Sequence, residues 1–126
     1  MTPREILDAY YDRANAGAWD AWCDLFTEDV VIDEQLAGHI EGLGTLRPMM
    51  NGMARAYSAF QNVPTHVLVE ADQGAVVSHI SAANAAGVPI EADVMNYFRF
   101  RGGKIAYMAN FHDARPFAPF LEQDLG

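Results

Sequence analysis

The sequence predicts an α+β domain in which amino-terminal helices pack against a coiled, mainly antiparallel sheet. Three observations carry this. Ile6, Leu7, Tyr10 and Ala14 recur at helical spacing near the amino terminus. Nearly everything after Gln61 reads as long strands. Short separators, Asp72-Gln73-Gly74, Ala86-Gly87 and Gly102-Gly103, divide those strands, so they are expected to be antiparallel neighbours. Helices followed by strands favour α+β over a doubly wound sheet. The 126 residues, 51% hydrophobic and 20% charged, suit one domain spanning 1–126 with a sizeable core.

Each element has a local reason. Thr2 is placed as an N-cap, Pro3 falls in the first helical turn, and Glu5 completes a capping box. Gly17 ends that helix. A second short helix carries Trp19, Trp22, Cys23 and Phe26 on one side. Val30-Val31-Ile32 reads as a short strand, and Gly38, Gly42 and Gly44 mark a loop. From Leu46, the spacing of Met49, Met50, Met53, Tyr57 and Phe60 predicts a helix with Pro48 in its first turn. Its helical flanks outvote the turn signal Asn51-Gly52. Strands follow at roughly 63–71, 75–85, 89–101 and 104–112. The tail from Arg115 holds two prolines and reads as loosely packed. Long antiparallel strands coil, and helices on one face then close a cavity.

Composition narrows the function. A net charge of −9 argues against binding to nucleic acid or an anionic membrane. Small molecules and protein partners remain. The single cysteine, Cys23, excludes an intrachain disulfide and a cysteine metal cluster. The start Met-Thr-Pro-Arg-Glu carries no signal-peptide apolar core, and no 18-residue apolar run is present. The expected location is the cytoplasm.

Two segments carry a family resemblance. Tyr10-Tyr11, then Asn15-Ala16-Gly17-Ala18-Trp19-Asp20-Ala21, then Leu25-Phe26-Thr27-Glu28-Asp29-Val30, resembles the opening of NTF2-like domains, particularly the SnoaL-like branch. Arg99-Phe100-Arg101-Gly102-Gly103-Lys104-Ile105 resembles their last hairpin. The resemblance covers about Ile6 to Asp113 and implies a conical pocket between curved sheet and helices. That superfamily includes ketosteroid isomerases, polyketide cyclases, dehydratases, epoxide hydrolases and noncatalytic modules, so the fold does not set the function. On the ketosteroid isomerase pattern, Tyr10 falls on the oxyanion-hole tyrosine and Glu34 on the proton-shuttling aspartate. Asn96 falls on the second oxyanion donor, and His112 on an apolar aromatic pocket position. The Arg-x-Asp pair of the epoxide hydrolase branch is replaced by Val77, His79 and Ser81.

Each candidate has a structural and a functional reading. Tyr10 is core area with a satisfied hydroxyl, or a donor to a ligand oxygen. Glu34 is a solvated strand end, or a carboxylate taken into an apolar pocket as general base. Asp33 points the other way along the strand and is the alternative to Glu34. Alternation on strand 89–101 puts Ala92, Val94, Asn96, Phe98 and Phe100 inward. Asn96 there needs a ligand or a second side chain. Strand 104–112 is expected to contribute Ala106, Met108, Asn110 and His112. Strand 75–85 is expected to contribute Val77, His79, Ser81 and Ala83. His79, Asn96 and His112 should therefore project into one cavity. Met49, Met50 and Met53 form core or a pliable pocket wall. His79, His112 and Glu34 have the composition of a two-His-one-carboxylate metal set, but no local spacing supports one.

The expected activity is binding of a small, largely apolar carbonyl- or hydroxyl-bearing ligand, with cofactor-free acid–base chemistry of the isomerase or cyclase type. Glu34 would abstract a proton while Tyr10 and Asn96 stabilise an enolate; His79, Ser81, Val94, Phe98, Met108 and Asn110 would contact the ligand. A dehydratase using His79 and His112 is the enzymatic alternative. A noncatalytic binder and an assembly domain are the others. Asp93, Met95, Tyr97 and Arg99, with Tyr107 nearby, form a half-apolar outer face expected to hold a homodimer.

Overall fold

The computed structural model describes residues 1–121. Helix α1 (Pro3–Asn15) starts at the capping box: the Thr2 hydroxyl accepts from the Glu5 N–H at 3.2 Å, and the Glu5 carboxylate accepts from the Thr2 N–H at 2.9 Å. Two orphan helix donors are thereby satisfied. Its buried stripe is Ile6, Leu7, Tyr10, Tyr11 and Ala14. Helix α2 (Trp19–Cys23) is tied to α1 by Arg13, which donates to the Ala21 carbonyl at 2.6 Å. Strands β1 (Phe26–Glu34) and β2 (Gly38–Glu41) follow, then α3 (Leu43–Met50) and α4 (Met53–Ala56). Four long strands complete the sheet: β3 (Tyr57–Glu70), β4 (Gln73–Asn84), β5 (Pro89–Arg101) and β6 (Lys104–Phe111). A 3-10 turn (Arg115–Phe117) and α5 (Ala118–Leu121) close the described chain.

The six strands run in the order β2-β1-β6-β5-β4-β3, antiparallel except for β1 beside β6. The helices cover one face. At one end of that face, Ile6, Leu7, Phe26, Val76, Phe98 and Ile105 pack into a closed core. A second cluster, Ile80, Ile90, Ala92, Val94 and Phe117, lies toward the other end. Gly74 lets α1 approach the sheet: a Cβ there would meet Leu7 Cδ1 and Phe100 Cε2 at 3.3 Å. Strand β5 alternates without exception, its even-numbered side chains buried and its odd-numbered ones on the outer face.

Several expected elements differ. The glycine-marked segment holds strand β2, because β1 offers a free edge that Gly38–Glu41 pairs with. The expected helix from Leu46 to Phe60 is two helices and the start of a strand. Leu43 begins α3, so Pro48 falls near its end and removes an N–H the helix needs. The helix stops at Asn51-Gly52, and Tyr57 and Phe60 belong to β3. On β4 the buried residues are the even-numbered ones, Gly74, Val76, Ser78, Ile80, Ala82 and Asn84; His79 and Ser81 therefore lie on the outer face, not in the pocket. The register shows why: His79 stands opposite Asp93 and Ser81 opposite Glu91, both outward on β5. On β6, Arg99 pairs with Tyr107 while Phe100 pairs with Ile105, so a bulge at Ala106 puts Ile105 rather than Ala106 in the core. The tail is packed in part, since Phe117 is buried; residues 122–126 lie outside the described chain. No helix among the described residues is long and apolar enough to cross a membrane.

β3 is a 14-residue edge strand, and such an edge invites unwanted pairing. Two devices blunt its middle. Asn15 Oδ1 accepts from the Asn62 N–H at 2.7 Å, and Asn15 Nδ2 donates to the Asn62 carbonyl at 2.9 Å. The side-chain amide copies a neighbouring strand. Two residues on, Pro64 has no N–H to offer. Asn15→Ala should lower stability by about 1–3 kcal/mol, the scale of two lost hydrogen bonds with partly buried partners, measured as the urea midpoint.

On the outer face, His79 bridges Asp93 through Nδ1 and Glu91 through Nε2, both at 2.9 Å. Asp93 and Glu91 both raise the His79 pKa above 6.5. The clamp's stabilisation is thus fully present below about pH 6.5 and fades as pH rises through the elevated folded value. Unfolding of wild type and His79→Ala should differ more at pH 6 than at pH 9. An equal difference at both pH values would contradict the clamp.

Candidate functional site

A cavity of about 340 Å³ lies between the helices and the inner sheet face. Much of its wall is aromatic or thioether: Trp19 and Trp22 from α2, Met49 and Met50 from α3, Met53 from α4, Tyr57 and Phe60 from β3, Phe117 from the 3-10 turn and Phe120 from α5. Ile80, Val94 and Met108 form the sheet side. A ligand entering would displace water from a largely apolar surface.

The polar groups arrive from different elements. Glu34 ends β1, and the parallel pairing of β1 with β6 brings it beside the end of β6. Glu34 Oε2 accepts from the Leu36 N–H at 2.7 Å and from the Ala37 N–H. That oxygen builds the β1–β2 turn. Oε1 accepts from Asn110 Nδ2 at 3.3 Å and lies 3.9 Å from His112 Nε2. Asn110 in turn accepts from the Gln35 N–H at 3.0 Å through Oδ1. The two oxygens of one carboxylate therefore have different tasks.

His112 is oriented from behind. Its Nδ1 is 2.8 Å from the Asp113 carbonyl oxygen. A carbonyl only accepts, so Nδ1 carries the hydrogen and Nε2 is the atom turned to Glu34. Phe117 lies against the ring at 4.8 Å between centroids. The His112 side chain is 2% exposed, against 22% for Glu34. A ligand atom meeting this pair would find Nε2 and Oε1 together at the cavity wall.

Tyr10 is held by Tyr11, Trp22 and Phe98 rings at 4.7–5.3 Å. No hydrogen bond reaches its hydroxyl among the described residues, and the side chain lines the cavity. Burial, then Tyr11 and the Glu34 charge, push its pKa well up. Tyr57 behaves alike: burial and then the Glu34 charge push it up to about 12. Both phenols remain protonated at neutral pH and can donate.

Asn96 lines the cavity at 2% exposure. Its Nδ2 donates to the Tyr11 hydroxyl at 2.9 Å. Burial pushes Tyr11 up to about 12, while Asn96 and Ser78 pull it back. Ser78 beside them on the inner sheet face is fully buried, and its Oγ has no hydrogen-bond partner among the described residues.

Of the sequence-derived candidates, Glu34, Tyr10, Asn96, His112, Val94, Met108 and Asn110 line the cavity. Three do not. His79 and Ser81 face outward, where Ser81 donates to Glu91 at 2.7 Å. Phe98 points inward but is fully buried below the cavity, 5.2 Å from Tyr10 and 6.1 Å from Phe100. With His79 outside, neither the His79–His112 pair nor the His79–His112–Glu34 set is assembled. Asp33 is outside too, accepting from Tyr107 at 2.6 Å. Burial pushes the Cys23 thiol up, away from nucleophilic use. Tyr57, which also lines the cavity, is absent from the sequence-derived candidates because helical spacing assigns it to a helix; Asn51-Gly52 is the signal for the break.

A family model for the SnoaL-like domain matches residues 7–108. Among solved structures, the chain is similar to a protein of Pseudomonas putida provisionally assigned as a polyketide cyclase, at 25% identity over 93% of this chain and 96% of that one, TM-score 0.79. It is also similar to a hypothetical protein of Catenulispora acidiphila with a ketosteroid isomerase-like fold, in complex with trimethylamine, at 15% identity, 98% and 100% coverage and TM-score 0.81. A third, TerC co-crystallised with polyporic acid, is 16% identical, with 95% and 98% coverage and TM-score 0.81. No curated protein matches. The cone of helices on a curved sheet and the match over most of the length agree: the chain belongs to the SnoaL-like domain family, with an NTF2-like fold.

Proposed function

We propose that the cavity binds a small, largely apolar ligand bearing a carbonyl or hydroxyl, and that the protein catalyses cofactor-independent proton transfer of the isomerase or cyclase type. The observation that carries this is the Glu34–His112 pair at the wall of an otherwise apolar cavity, with His112 Nδ1 held by the Asp113 carbonyl. Nε2 or Oε1 takes a proton from carbon beside a ligand carbonyl. Tyr10 and Asn96 face the oxygen on which negative charge develops. Ligands in solved structures of this fold, such as polyporic acid on TerC, support a small-molecule occupant. A noncatalytic binding module is the second reading, favoured by the backbone N–H groups that already occupy Glu34 Oε2.

Exchange of the α-protons of 2-tetralone in D2O, followed by NMR, separates the two. Wild type should accelerate exchange, and Glu34→Gln or His112→Gln should each lose about 10²-fold or more. Tyr10→Phe should slow exchange and leave the fold intact. Binding of 2-tetralone without acceleration would leave the binding module.

We also infer a homodimer through the outer face of β5. Along that face the residues run Glu91, Asp93, Met95, Tyr97, Arg99, Arg101, from acidic through apolar to basic. A two-fold axis across β5 at position 96 sets Asp93 against Arg99 of the partner and Met95 against Tyr97 of the partner. Met95 and Phe111, neighbours in register, are 46% and 56% exposed and supply the apolar centre. Sedimentation at micromolar concentration should show a dimer. Asp93→Arg should split it, and adding Arg99→Asp should restore it. A double variant that stays monomeric would refute this register.

A further inference from the structure

We propose that Asn110 is a catalytic donor, whose amide gives one hydrogen to Glu34 and the other to the ligand oxygen on which charge develops. This deepens the reading of the cavity as a site of proton transfer and rests on that reading for its ligand.

Two partners fix the direction of the Asn110 amide. The Gln35 backbone N–H can only donate, so the amide atom 3.0 Å from it is Oδ1. An ionised Glu34 can only accept, so the atom 3.3 Å from Oε1 is Nδ2. A half-turn of the amide would set N–H against N–H and oxygen against oxygen. Nδ2 carries two hydrogens, and Glu34 takes one. The other has no acceptor among the described residues, and Asn110 lines the cavity. The residue type suits the place. An aspartate would accept from Gln35 but repel Glu34, and a hydroxyl has one hydrogen to give instead of two.

Strand pairing sets where the free hydrogen is offered. Asp33 stands opposite Ala109 in the parallel β1–β6 pair, so Glu34 and Asn110 follow as neighbours. On its other side Asn110 stands opposite Asn96, and both line the cavity. Glu34 Oε1 is 3.3 Å from Asn110 Nδ2 and 3.9 Å from His112 Nε2. In an enolisable ketone the α-carbon and the carbonyl oxygen are about 2.4 Å apart. A ketone that gives its α-proton to Oε1 or Nε2 thus brings its oxygen close to Nδ2. The C–H bond breaks, its electron pair passes into the enolate, and the proton rests on the Glu34–His112 pair until it returns to carbon. Asn110 itself gains and loses no proton. Its amide is tied at both ends before the ligand arrives, so little reorganisation is needed as the oxygen becomes anionic. Once the pair holds the proton, its pull on Nδ2 falls while that of the ligand oxygen rises.

Wild-type protein gives the first test. On titration with 2-tetralone, one of the two Asn110 side-chain NH protons should move downfield in amide NMR spectra. Methyl signals of Met49, Met50, Met53 and Met108 report whether the probe has entered. Methyl shifts with both Asn110 protons unmoved overturn the assignment and leave the reading of the cavity standing. If no methyl moves, the reading of the cavity fails and the assignment falls with it. The second test separates a donor from a residue that merely positions Glu34. The infrared carbonyl stretch of bound 2-tetralone should rise in Asn110→Leu, and by a similar amount when that change is made in Glu34→Gln. Proton exchange of 2-tetralone should fall about 10²-fold in Asn110→Leu, the scale of one lost oxyanion donor. A stretch that Asn110→Leu leaves unchanged, or changes only while Glu34 is present, overturns the proposal.

Discussion

Strand β5 is the constraint on which the site depends. Its neighbours on both sides are antiparallel, and each register line passes through it: Val76, Asn96 and Asn110 lie in one row, with Ser78 and Val94 in the next. Strict alternation of buried and exposed side chains leaves that register no freedom, because a slip of one residue would drive Glu91, Asp93 and Arg99 into the core. Once β5 is set, Asn96 must face inward, His79 must face outward opposite Asp93, and β6 must deliver Asn110 and His112 to the cavity wall. The bulge at Ala106 absorbs the mismatch near the hairpin, so Met108 keeps the inward phase.

A packed core would close this space, and the cavity persists because its roof is interrupted. Pro48 weakens the end of α3, the chain breaks at Asn51-Gly52, and α4 is one turn long. The methionines there bridge the gap without filling it. Polar groups survive at the cavity wall because nearly all are secured from behind. Asn110 is held by the Gln35 N–H, His112 by the Asp113 carbonyl, and Glu34 by the turn it builds. Each keeps one polar atom committed to the fold and turns another to the cavity. Such division fixes geometry before a ligand arrives, which is what transition-state stabilisation needs.

The legible parts of this fold are those where one physical signal has no rival. The capping box at Thr2 and Glu5 is local, and β5 alternates charge with apolar bulk, so both are readable from the chain. On β4 the two faces are nearly alike: Val76, Ser78, Ile80 and Ala82 on one, Val77, His79, Ser81 and Ala83 on the other. Side-chain character cannot phase such a strand, and only its register against β5 does. That is why His79 and Ser81 were expected inside. Tyr57 and Phe60 continue the helical spacing of Met49 and Met53, so periodicity favours a helix there; the turn chemistry of Asn51-Gly52 and the pull of a free β4 edge win. The pairing of Glu34 with His112 spans most of the sequence and depends on parallel contact between β1 and β6, which no local pattern reports. Family resemblance placed both residues near a pocket; only the fold put Oε1 beside Nε2.

Electrostatics ties the surface to the chemistry inside. The chain carries −9 overall, and screening at physiological salt limits its reach to about 8 Å. An anionic ligand nearing the cavity would still meet Glu34 at the wall, with His112 as the basic side chain that faces it. A neutral ligand avoids that repulsion and gains from the aromatic and thioether wall. On the proposed reading, charge would appear only after binding, when a proton leaves the ligand for the Glu34–His112 pair. The proton would then settle on the pair just as the ligand oxygen becomes anionic. The phenols of buried Tyr10 and half-buried Tyr57, both kept protonated by desolvation, could donate to that oxygen. An acidic exterior and an apolar interior both suit the event that this reading requires, a neutral molecule admitted and ionised in place.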